Sequence, residues 1–317
     1  MAKYVAYRLL WIVPTLLGVS FLIFLVMRIL PGDVAYVILG AEGGHVTPDN
    51  VRKVHAALGL DRPLYMQYLA WLGGIVGGNL GRSFWRDEPI SQLIWERGAV
   101  TGQIALMAVV ISWLIGLPAG IVSAAKQDSR TDRLAQVGSI LGLAVPSFWL
   151  GTLVLLVLMT RFGWFPPLRF VTPWENVGQN LQQTGFPALV LGLFLAAYAA
   201  RKTRSATLEV LREDFVRTAR AKGLRERAVL CRHVLKNALL PVVALSGVQL
   251  GALLSASVAV EKVFNVPGLG QTLVAAITER DYMVIQNLAL AYAAAFAFLN
   301  LAVDLLSAWL DPRIVDA

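Results

Sequence analysis

The sequence predicts an all-α integral membrane protein with about six transmembrane helices and both termini in the cytoplasm. Of its 317 residues, 57% are hydrophobic and 15% are charged, against about 25% charged in ordinary soluble domains. Six apolar runs contain no Asp, Glu, Lys or Arg, and each has the roughly 20 residues that crossing the hydrocarbon core requires. The runs are Leu9–Met27, Gly98–Ala125, Leu134–Thr160, Leu181–Ala200, Ala238–Val260 and Tyr282–Val303.

The composition excludes several other classes of protein. Intrinsic disorder requires low hydrophobicity and high charge, and this chain has the opposite balance. A disulfide-stabilised secreted scaffold is excluded because the single cysteine, Cys231, can form no bridge within the chain. The net charge of +8 is compatible with binding to nucleic acid or to a membrane surface. The positions of the charged residues decide between these two.

The first apolar run, Leu9–Met27, differs from a cleaved signal peptide. Lys3 and Arg8 precede it, as basic residues precede a signal peptide, but the run is longer than the usual apolar region. Its exit, Arg28-Ile-Leu-Pro-Gly-Asp33, offers no small-residue cleavage site. We expect this segment to remain in the protein as a first transmembrane helix.

Basic residues set the orientation of the predicted helices. With the N-terminus in the cytoplasm, 17 of the 28 Lys and Arg residues lie on the cytoplasmic side, and eleven of them fall within residues 201–236. The outside segment 31–97 has six basic and seven acidic residues and is nearly neutral. This asymmetry follows the positive-inside rule, so the net charge reflects topology. We expect a multi-pass protein of the bacterial inner membrane that contacts the lipid bilayer and has no nucleic-acid partner.

The outside segment 31–97 is long for a loop, and two parts of it have helical patterns. Thr47-Pro48-Asp49 has the residues of a helix start, and Gly59 supplies a stop. The stretch Leu64–Val76 is too short to span the membrane and contains three aromatic residues, Tyr65, Tyr68 and Trp71. It is either an interfacial helix with aromatic anchors or a docking surface for an external partner. The sequence favours neither interpretation.

Small residues recur at a spacing of four in three of the apolar runs, and this spacing places them on one helix face. Such faces let helix backbones approach closely in a bilayer. Static packing within the chain is the simpler interpretation, and sliding against a partner subunit is the alternative. The residues are Ser112, Gly116, Gly120 and Ala124 in the second run, Gly138 and Gly142 in the third, and Gly247, Gly251 and Ser255 in the fifth.

The sequence lacks the motifs of several catalytic sites. It has no G-x-x-x-x-G-K-[ST] phosphate loop and no H-E-x-x-H zinc motif. Its three histidines, His45, His55 and His233, are scattered over two sides of the membrane. The spans lack the carboxylates of an ion-coupled carrier, and Asp304, the acidic residue close to the sixth, suits an interfacial position. We expect a non-catalytic protein without a metal or cofactor. A carrier that has neither an ion relay nor a nucleotide site of its own must take its energy from another component.

The segment 205–237, between the fourth and fifth runs, carries the strongest functional signal. One short amphipathic helix is predicted by four apolar residues at helical spacing, Leu208, Leu211, Phe215 and Ala219. Gly223 permits the left-handed turn that ends it, and a second helix is expected from about Glu226 towards Pro241. A helix, a turn and a helix would present a rigid knob to a soluble partner. The alternative is a basic loop held at the anionic lipid surface.

This segment resembles the EAA loop of ABC importer permeases, in the form found in the dipeptide, oligopeptide, glutathione and nickel group. The matching residues are Arg217-Thr-Ala-Arg-Ala-Lys-Gly223, followed by Arg232-His-Val-Leu-Lys-Asn-Ala-Leu-Leu-Pro241. Further matches extend over nearly the whole chain and are specific for the first permease subunit. They are Tyr7-Arg8 with Leu30-Pro-Gly-Asp33, Leu58-Gly-Leu-Asp-Arg-Pro-Leu64, Val260-Glu-Lys-Val-Phe-Asn-Val-Pro-Gly-Leu-Gly270 and Arg280-Asp-Tyr282.

The loop departs from the general EAA pattern in two places. Arg217 and Thr218 stand where many permeases have Glu and Ala, and His233-Val-Leu-Lys236 stands where Ile-x-Leu-Pro is usual. This form is common in the peptide group, so the resemblance holds. The departures weaken the transfer of single-residue roles from other permeases.

The resemblance implies a type I ABC importer permease fold in two parts. Residues 1–97 would hold the N-terminal transmembrane helix and a long periplasmic segment. Residues 98–317 would form the permease core, with five transmembrane helices and the cytoplasmic coupling loop at about 205–237. The implied partners are a second permease subunit, two ATP-binding subunits and an extracytoplasmic solute-binding protein. ATP and magnesium would be bound by the partner ATPases, which would hydrolyse the ATP.

The resemblance also implies roles for two groups of residues. The residues expected to couple to an ATPase are Phe215, Arg217, Thr218, Ala219, Ala221, Lys222 and Gly223. Of these, Gly223 would set the angle of the coupling element and Ala219 would let it pack closely. The residues expected at the outer gate or the binding-protein face are Glu261, Phe264, Pro267, Gly268 and Asp281.

The cargo implied by the resemblance is a peptide, for which the chain would form half of the translocation pore. Nickel chelates, glutathione and sugars are the alternatives for the same machinery. An ion-coupled secondary transporter is the rival of a different class, and it would work without an ATPase.

Overall fold

The computed structural model describes residues 2–29, 35–36, 39, 47–167 and 169–310. These residues form helices joined by loops, and they include no strand beyond an isolated bridge between Arg82 and Pro89. Some residues used in the sequence predictions lie outside the described ranges, namely 30–33, His45 and Arg313.

Twelve helices in the described ranges are labelled here in chain order. They are α1 Ala2–Ile29, α2 Pro48–Leu58, α3 Leu64–Val76, α4 Ile90–Ala125, α5 Arg130–Ala144, α6 Ser147–Phe162, α7 Val177–Leu211, α8 Asp214–Ala221, α9 Glu226–Ala228, α10 Leu235–Val263, α11 Leu269–Glu279 and α12 Tyr282–Leu310. A π-helical turn, Val229–Val234, joins α9 to α10.

Long apolar helices confirm the predicted membrane architecture. Among the described residues, α1, α4, α7 and α12 are each long and apolar enough to cross a membrane, and α5 with α6 passes the same test as a bent pair. The fifth predicted run lies within α10, whose 29 residues extend over about 43 Å at the α-helical rise. All six predicted runs therefore fall in helices of an all-α integral membrane protein.

The third predicted span is not one continuous helix. It breaks between α5 and α6, which are bent by 98° relative to each other. Pro146 has no backbone N–H, and its ring disfavours the helical conformation at Val145, which is extended with φ −86° and ψ 121°. The prediction of an uninterrupted span over Leu134–Thr160 is therefore wrong at this point.

A seam of small residues joins α4 to α7. A β-carbon added at Gly116 would lie 2.7 Å from the Ala196 carbonyl oxygen, and one at Gly120 would lie 2.5 Å from the Ala200 carbonyl oxygen. Neither position has room for a side chain, so glycine is what permits this approach of the two backbones. The ladder of small residues in the second run therefore packs within the chain, as the simpler interpretation predicted.

The other two ladders are used in part. A β-carbon added at Gly142 would meet the Ala197 side chain of α7, and one at Gly251 would meet the Phe296 ring of α12. Gly138 has open space around it. Most of the small residues thus serve packing inside this chain, and Gly138 does not.

Two polar residues near the start of the fourth apolar run, Gln183 and Thr184, are buried and hydrogen-bonded. Gln183 accepts a hydrogen bond from the Val171 N–H at 2.9 Å and donates one to the Arg169 carbonyl oxygen at 2.7 Å. Thr184 donates to the Asn180 carbonyl oxygen of its own helix at 2.9 Å. Because these groups are paired, a helix with a polar first turn can remain buried.

The helix α2 begins and ends as predicted. The Thr47 hydroxyl accepts a hydrogen bond from the Asn50 N–H at 3.3 Å, and Pro48 occupies the first turn. Gly59 is left-handed with φ 66°, and its N–H caps the end of the helix. The sequence signals for this outside helix are therefore confirmed.

The helix α3 packs on α1 through two of its three aromatic residues. The Tyr68 hydroxyl lies 2.9 Å from the Ser20 hydroxyl, and Trp71 is buried and stacks on Phe24 with the ring centroids 6.4 Å apart. Tyr65 is exposed. Trp71 and, in part, Tyr68 therefore face the bundle, and of the three aromatic residues in the anchor interpretation Tyr65 has the most exposed side chain.

Ion pairs join the helix ends that the basic residues assign to the cytoplasm. Arg8 of α1 lies 2.9 Å from Asp304 of α12, and Arg204 of α7 lies 2.7 Å from Asp132 of α5. The first pair supports the interfacial interpretation of Asp304, because its carboxylate is engaged by a neighbouring helix. The second pair lies close to the candidate functional site.

Candidate functional site at the cytoplasmic end

The predicted coupling segment begins inside a transmembrane helix. α7 continues to Leu211, the chain turns over residues 212–213, and α8 follows. The prediction of one amphipathic helix from Leu208 to Ala219 is therefore wrong, because the break falls between Leu211 and Phe215. The predicted second helix from about Glu226 is confirmed by α9 and its continuation into α10.

The inner face of α8 packs against its own chain. Val216 is fully buried and Ala219 is 6% exposed. Ala219 was expected to pack closely in the coupling contact, and its side chain packs against this chain's own helices instead. The cluster around these two residues comes from α7, the π-helical turn and the start of α10, namely Ala206, Val229, Val234, Ala238 and Val242. Burial of this apolar face fixes α8 to the bundle.

The outer face of α8 carries the remaining predicted coupling residues. Phe215 is 41% exposed, so its ring is accessible at the surface of this short helix. The structure gathers six of the seven predicted residues on one exposed surface, called here the coupling surface: Phe215, Arg217, Thr218, Ala221, Lys222 and Gly223. A partner could contact all of these residues without unfolding α8.

Gly223 and an ion pair fix the turn after α8. Gly223 has φ 76°, a conformation in which a β-carbon is strained. Across this turn, the Arg220 guanidinium donates two hydrogen bonds to the Glu226 carboxylate, at 2.6 and 3.1 Å. These hydrogen bonds hold the pKa of the Glu226 carboxyl below its ordinary value. The angle between α8 and α9 is thus set by both the backbone and the side chains.

Sequence reasoning did not identify the pair of Arg220 and Glu226. A signal for it exists, because Arg220 lies in the last turn of α8 and Glu226 in the first turn of α9. Each charge complements the dipole at its own helix end, and the glycine turn brings the two ends together. The six-residue separation hides this pairing from a search for contacts within one helix.

The π-helical turn connects the coupling surface to the membrane. It follows α9 directly and leads into α10, so that the chain is helical from Glu226 to Val263. Val229 and Val234 of this turn are fully buried against α8. A displacement of α8 therefore has a packed route to the long helix α10.

A buried carboxylate ties α7 to its neighbours just before the coupling segment. Asp132 is fully buried and accepts hydrogen bonds from the Ser123 hydroxyl at 2.5 Å, the Asp128 N–H at 2.9 Å and the Gln136 amide at 3.0 Å. Arg204 donates two more, at 2.7 and 2.8 Å. This network joins the ends of α4, α5 and α7, and sequence reasoning missed it because Arg204 lies 72 positions from Asp132 along the chain.

At the opposite end of the bundle, Glu261 is buried and not exposed to a partner. Its carboxylate accepts hydrogen bonds from the Thr101 hydroxyl at 2.8 Å, the Gly270 N–H at 2.8 Å and the Gln271 N–H at 3.1 Å. A β-carbon added at Gly268 would lie 2.4 Å from this carboxyl group. Glu261 therefore links α4 and α10 to the first turn of α11.

Asp281 is likewise buried, and Phe264 lies in the apolar core at 2% exposure. Asp281 accepts hydrogen bonds from the Ser83 hydroxyl at 2.6 Å and the Phe84 N–H at 3.0 Å. The predicted face for a binding protein therefore needs correction. The side chains of Glu261, Phe264 and Asp281 are enclosed by their own chain, as is the Gly268 backbone, while Pro267 is half-buried. At this end of the bundle, these residues hold α11 in place.

The described residues contain no group of three or more His, Cys, Asp or Glu side chains that could hold a metal ion. The site at the cytoplasmic end is instead a rigid surface of one short helix and its turn. Such a surface can contact a partner protein and transmit a displacement of α8 to the membrane helices.

Comparisons with known proteins agree with this geometry. Residues 116–316 match the family described as the binding-protein-dependent transport system inner membrane component, and residues 1–105 match the N-terminal region of such membrane components. A protein of Brucella abortus (strain 2308) named as a peptide transport system permease is 40% identical over 302 residues, which cover 95% of each chain. A glutathione transport system permease protein of Escherichia coli (strain K12) is 40% identical over 314 residues, which cover 99% of each chain.

The solved structure of an amino acid ABC transporter has a similar fold. It superposes with a TM-score of 0.50 at 17% sequence identity and covers 70% of this chain and 94% of its own. The family match extends over more than half of the sequence, and relatives align along nearly all of it. The chain therefore belongs to the binding-protein-dependent inner membrane components, which are the permeases of ABC importers.

Proposed function

We propose that this permease forms one half of a translocation pore, together with a second permease subunit, and that it is driven by two ATP-binding subunits. An extracytoplasmic binding protein delivers the cargo. The observation that supports this assignment is the two-faced helix α8. Its inner face is fixed to α10, and its outer face presents the coupling surface to the cytoplasm.

The coupling surface suits a groove on an ATPase subunit. Phe215 supplies an apolar anchor, and Arg217 and Lys222 supply charge around it. Closure of the two ATPases on ATP moves α8, and the buried contacts of Val216 and Val229 pass this movement to α10. ATP binding thereby shifts the population between inward-open and outward-open pores, because the ATPase contacts differ between the two states.

The chemistry of ATP hydrolysis belongs to the partner subunits in this proposal. ATP and magnesium are bound there, and the permease itself has no catalytic residue and no cofactor. Its contribution is the pore and the transmission of movement from the coupling surface.

The proposed cargo is a short peptide. The Brucella abortus relative is named for peptide transport and the Escherichia coli relative for glutathione transport, each at 40% identity. Glutathione, itself a tripeptide derivative, is the second candidate, because that relative aligns over 99% of this chain. Both cargoes share a peptide backbone and a free carboxylate.

Affinity purification of the tagged permease, co-expressed with the ATPases of its own transport system, tests the coupling surface. Thr218→Arg places a bulky cation on this surface, and we expect it to abolish recovery of the ATPases. Thr131→Arg makes the same change at an exposed position at the start of α5 and should leave recovery unchanged. Equal recovery with both variants, or transport in liposomes without ATP, would contradict the proposal.

Uptake in proteoliposomes tests the cargo separately. The purified transporter with its binding protein is supplied with radiolabelled dipeptides, an oligopeptide or glutathione, with ATP enclosed on the cytoplasmic side. We expect saturable uptake of a peptide that the other peptides inhibit. Uptake of glutathione alone would replace the first candidate by the second, and uptake of a nickel chelate or a sugar alone would exclude both.

A further inference from the structure

A cavity of about 310 Å³, lined by both polar and apolar residues, lies between α4, α5 and α7 at their cytoplasmic ends. Its walls include Arg201 and Arg204 of α7 and Gln136 and Ser139 of α5. The cavity lies beside the Asp132 network and about three turns before α8 along α7. The proposed coupling mechanism makes no use of it.

One of the two arginines in the cavity wall is already paired with a carboxylate, and the other has no such partner among the described residues. Arg204 donates two hydrogen bonds to the Asp132 carboxylate. That carboxylate accepts three more from neighbouring residues of the same chain. That pair is neutral as a unit. Arg201 is exposed and makes no ion pair with any residue in the described part of the chain. The cavity therefore favours an anion.

An apolar strip of α5 continues from the cavity. Ile140 lines the cavity and is itself 58% exposed. Leu134, Val137 and Leu141 lie beside it on the same helix and are also more than half exposed. A ligand for this place thus needs a charged group at Arg201 and an apolar part along α5.

We propose that this cavity binds the phosphate group of an anionic phospholipid of the inner leaflet, with one acyl chain along the apolar strip of α5. Basic pockets between transmembrane helices on the cytoplasmic side have the charge that such headgroups require. A soluble phosphate would satisfy Arg201 but not the exposed leucine, isoleucine and valine side chains of α5. The bound lipid bridges α5 and α7, the two helices that the Asp132 and Arg204 pair also joins.

Native mass spectrometry of the full-length chain in mild detergent tests this site. The chain is titrated with phosphatidylglycerol and, separately, with phosphatidylcholine of the same acyl chains. We expect selective retention of phosphatidylglycerol, and Arg201→Gln should weaken it about tenfold, the usual order of effect for one charged hydrogen bond. Arg130→Gln removes one exposed charge on the same side, outside the cavity wall, and should leave retention unchanged.

Two further arms keep the result decisive. Ser205→Leu adds bulk at an exposed residue of the cavity wall without changing charge, and we expect it to reduce phosphatidylglycerol retention as well. Glycerol phosphate at the same concentration should not displace the lipid. Equal losses with Arg201→Gln and Arg130→Gln would overturn the proposal, and so would displacement by glycerol phosphate, which would make the cavity a site for a soluble anion. The readout is lipid binding, so it is independent of the proposed cargo and ATPases.

Discussion

Gly223 controls the backbone of the coupling surface. Its φ of 76° is strained for a residue with a β-carbon, while the space around that carbon is open. A substitution therefore costs about 1–2 kcal/mol through the backbone and not through a clash. We expect Gly223→Val to raise hydrogen exchange over residues 214–228 and to lower ATP-driven uptake severalfold.

Asparagine provides the matched control at this position, because its side chain tolerates the left-handed conformation better than other side chains. Gly223→Asn should keep exchange and uptake close to those of the unmodified permease. If both variants behaved alike, the left-handed backbone at Gly223 would not be what positions α8.

The pair of Arg220 and Glu226 should make the turn sensitive to acid. Because the folded-state pKa of Glu226 is lowered from its ordinary value of 4.5, the pair stabilises the turn fully above that value. The stabilisation is lost as the pH falls through the lowered folded-state pKa. We expect protection factors of the amides at residues 220–226 to fall progressively as the pH drops below 4.5, measured by hydrogen exchange over an acid titration.

Glu226→Gln should remove this pH dependence and lower protection already at pH 7. Asp214→Asn is the control, because Asp214 pairs with Arg217 at 3.3 Å within one helix and both side chains are largely exposed. An unchanged acid profile in Glu226→Gln would assign the pH dependence to another group.

The seam between α4 and α7 predicts a sharp contrast between two glycines. Gly120→Ala places a β-carbon against the Ala200 backbone, and overpacking of this kind costs about 1–3 kcal/mol. Gly138→Ala meets nothing within 4 Å and should be neutral or slightly stabilising, because alanine is the better helix former. The thermal midpoint of the detergent-solubilised permease measures both, and equal midpoints would show that the two helices can separate without loss.

The sequence predicts the position and the ends of a helix where a local pattern determines them. It does not predict features that depend on tertiary packing. Uncharged runs of about 20 residues located the long apolar helices, and Thr47 and Gly59 marked both ends of α2. The bend at Pro146 was missed because an apolar composition does not show whether the helix axis changes direction within the run. The predicted apolar pattern of one helix included Phe215, whereas Val216 and Ala219 form the buried face of α8, because the break after Leu211 shifts the helical register.

The two ends of the molecule show the same limit. Sequence patterns placed Glu261 and Asp281 outside the membrane, and the structure places them at one end of the bundle. The hydroxyls of Thr101 and Ser83 donate hydrogen bonds to these carboxylates, and each pair is more than 150 positions apart in the sequence. No local pattern reveals such contacts. The candidate coupling residues lie in one continuous segment, so the sequence names them together; six of the seven are exposed, and their contact with an ATPase stays a prediction.

Asp281 is one of the residues that anchor the outside segment to the bundle. Asp281→Ala removes the acceptor for the Ser83 hydroxyl and for the Phe84 and Val284 N–H groups. Buried donors left without an acceptor cost about 1–3 kcal/mol each. We therefore expect faster proteolysis within residues 64–89 and a lower thermal midpoint.

Asp61→Ala provides the control, because Asp61 is exposed in the turn before α3 and makes no hydrogen bond or ion pair within the described ranges. It should leave proteolysis and the midpoint unchanged. The N–H groups of Gly270 and Gln271 donate hydrogen bonds to Glu261 and serve as an internal standard. They should stay protected from hydrogen exchange in both variants. If Asp281→Ala exposed them as well, the outer end of the bundle would unfold as one unit, and Asp281 would hold α11 together with the outside segment.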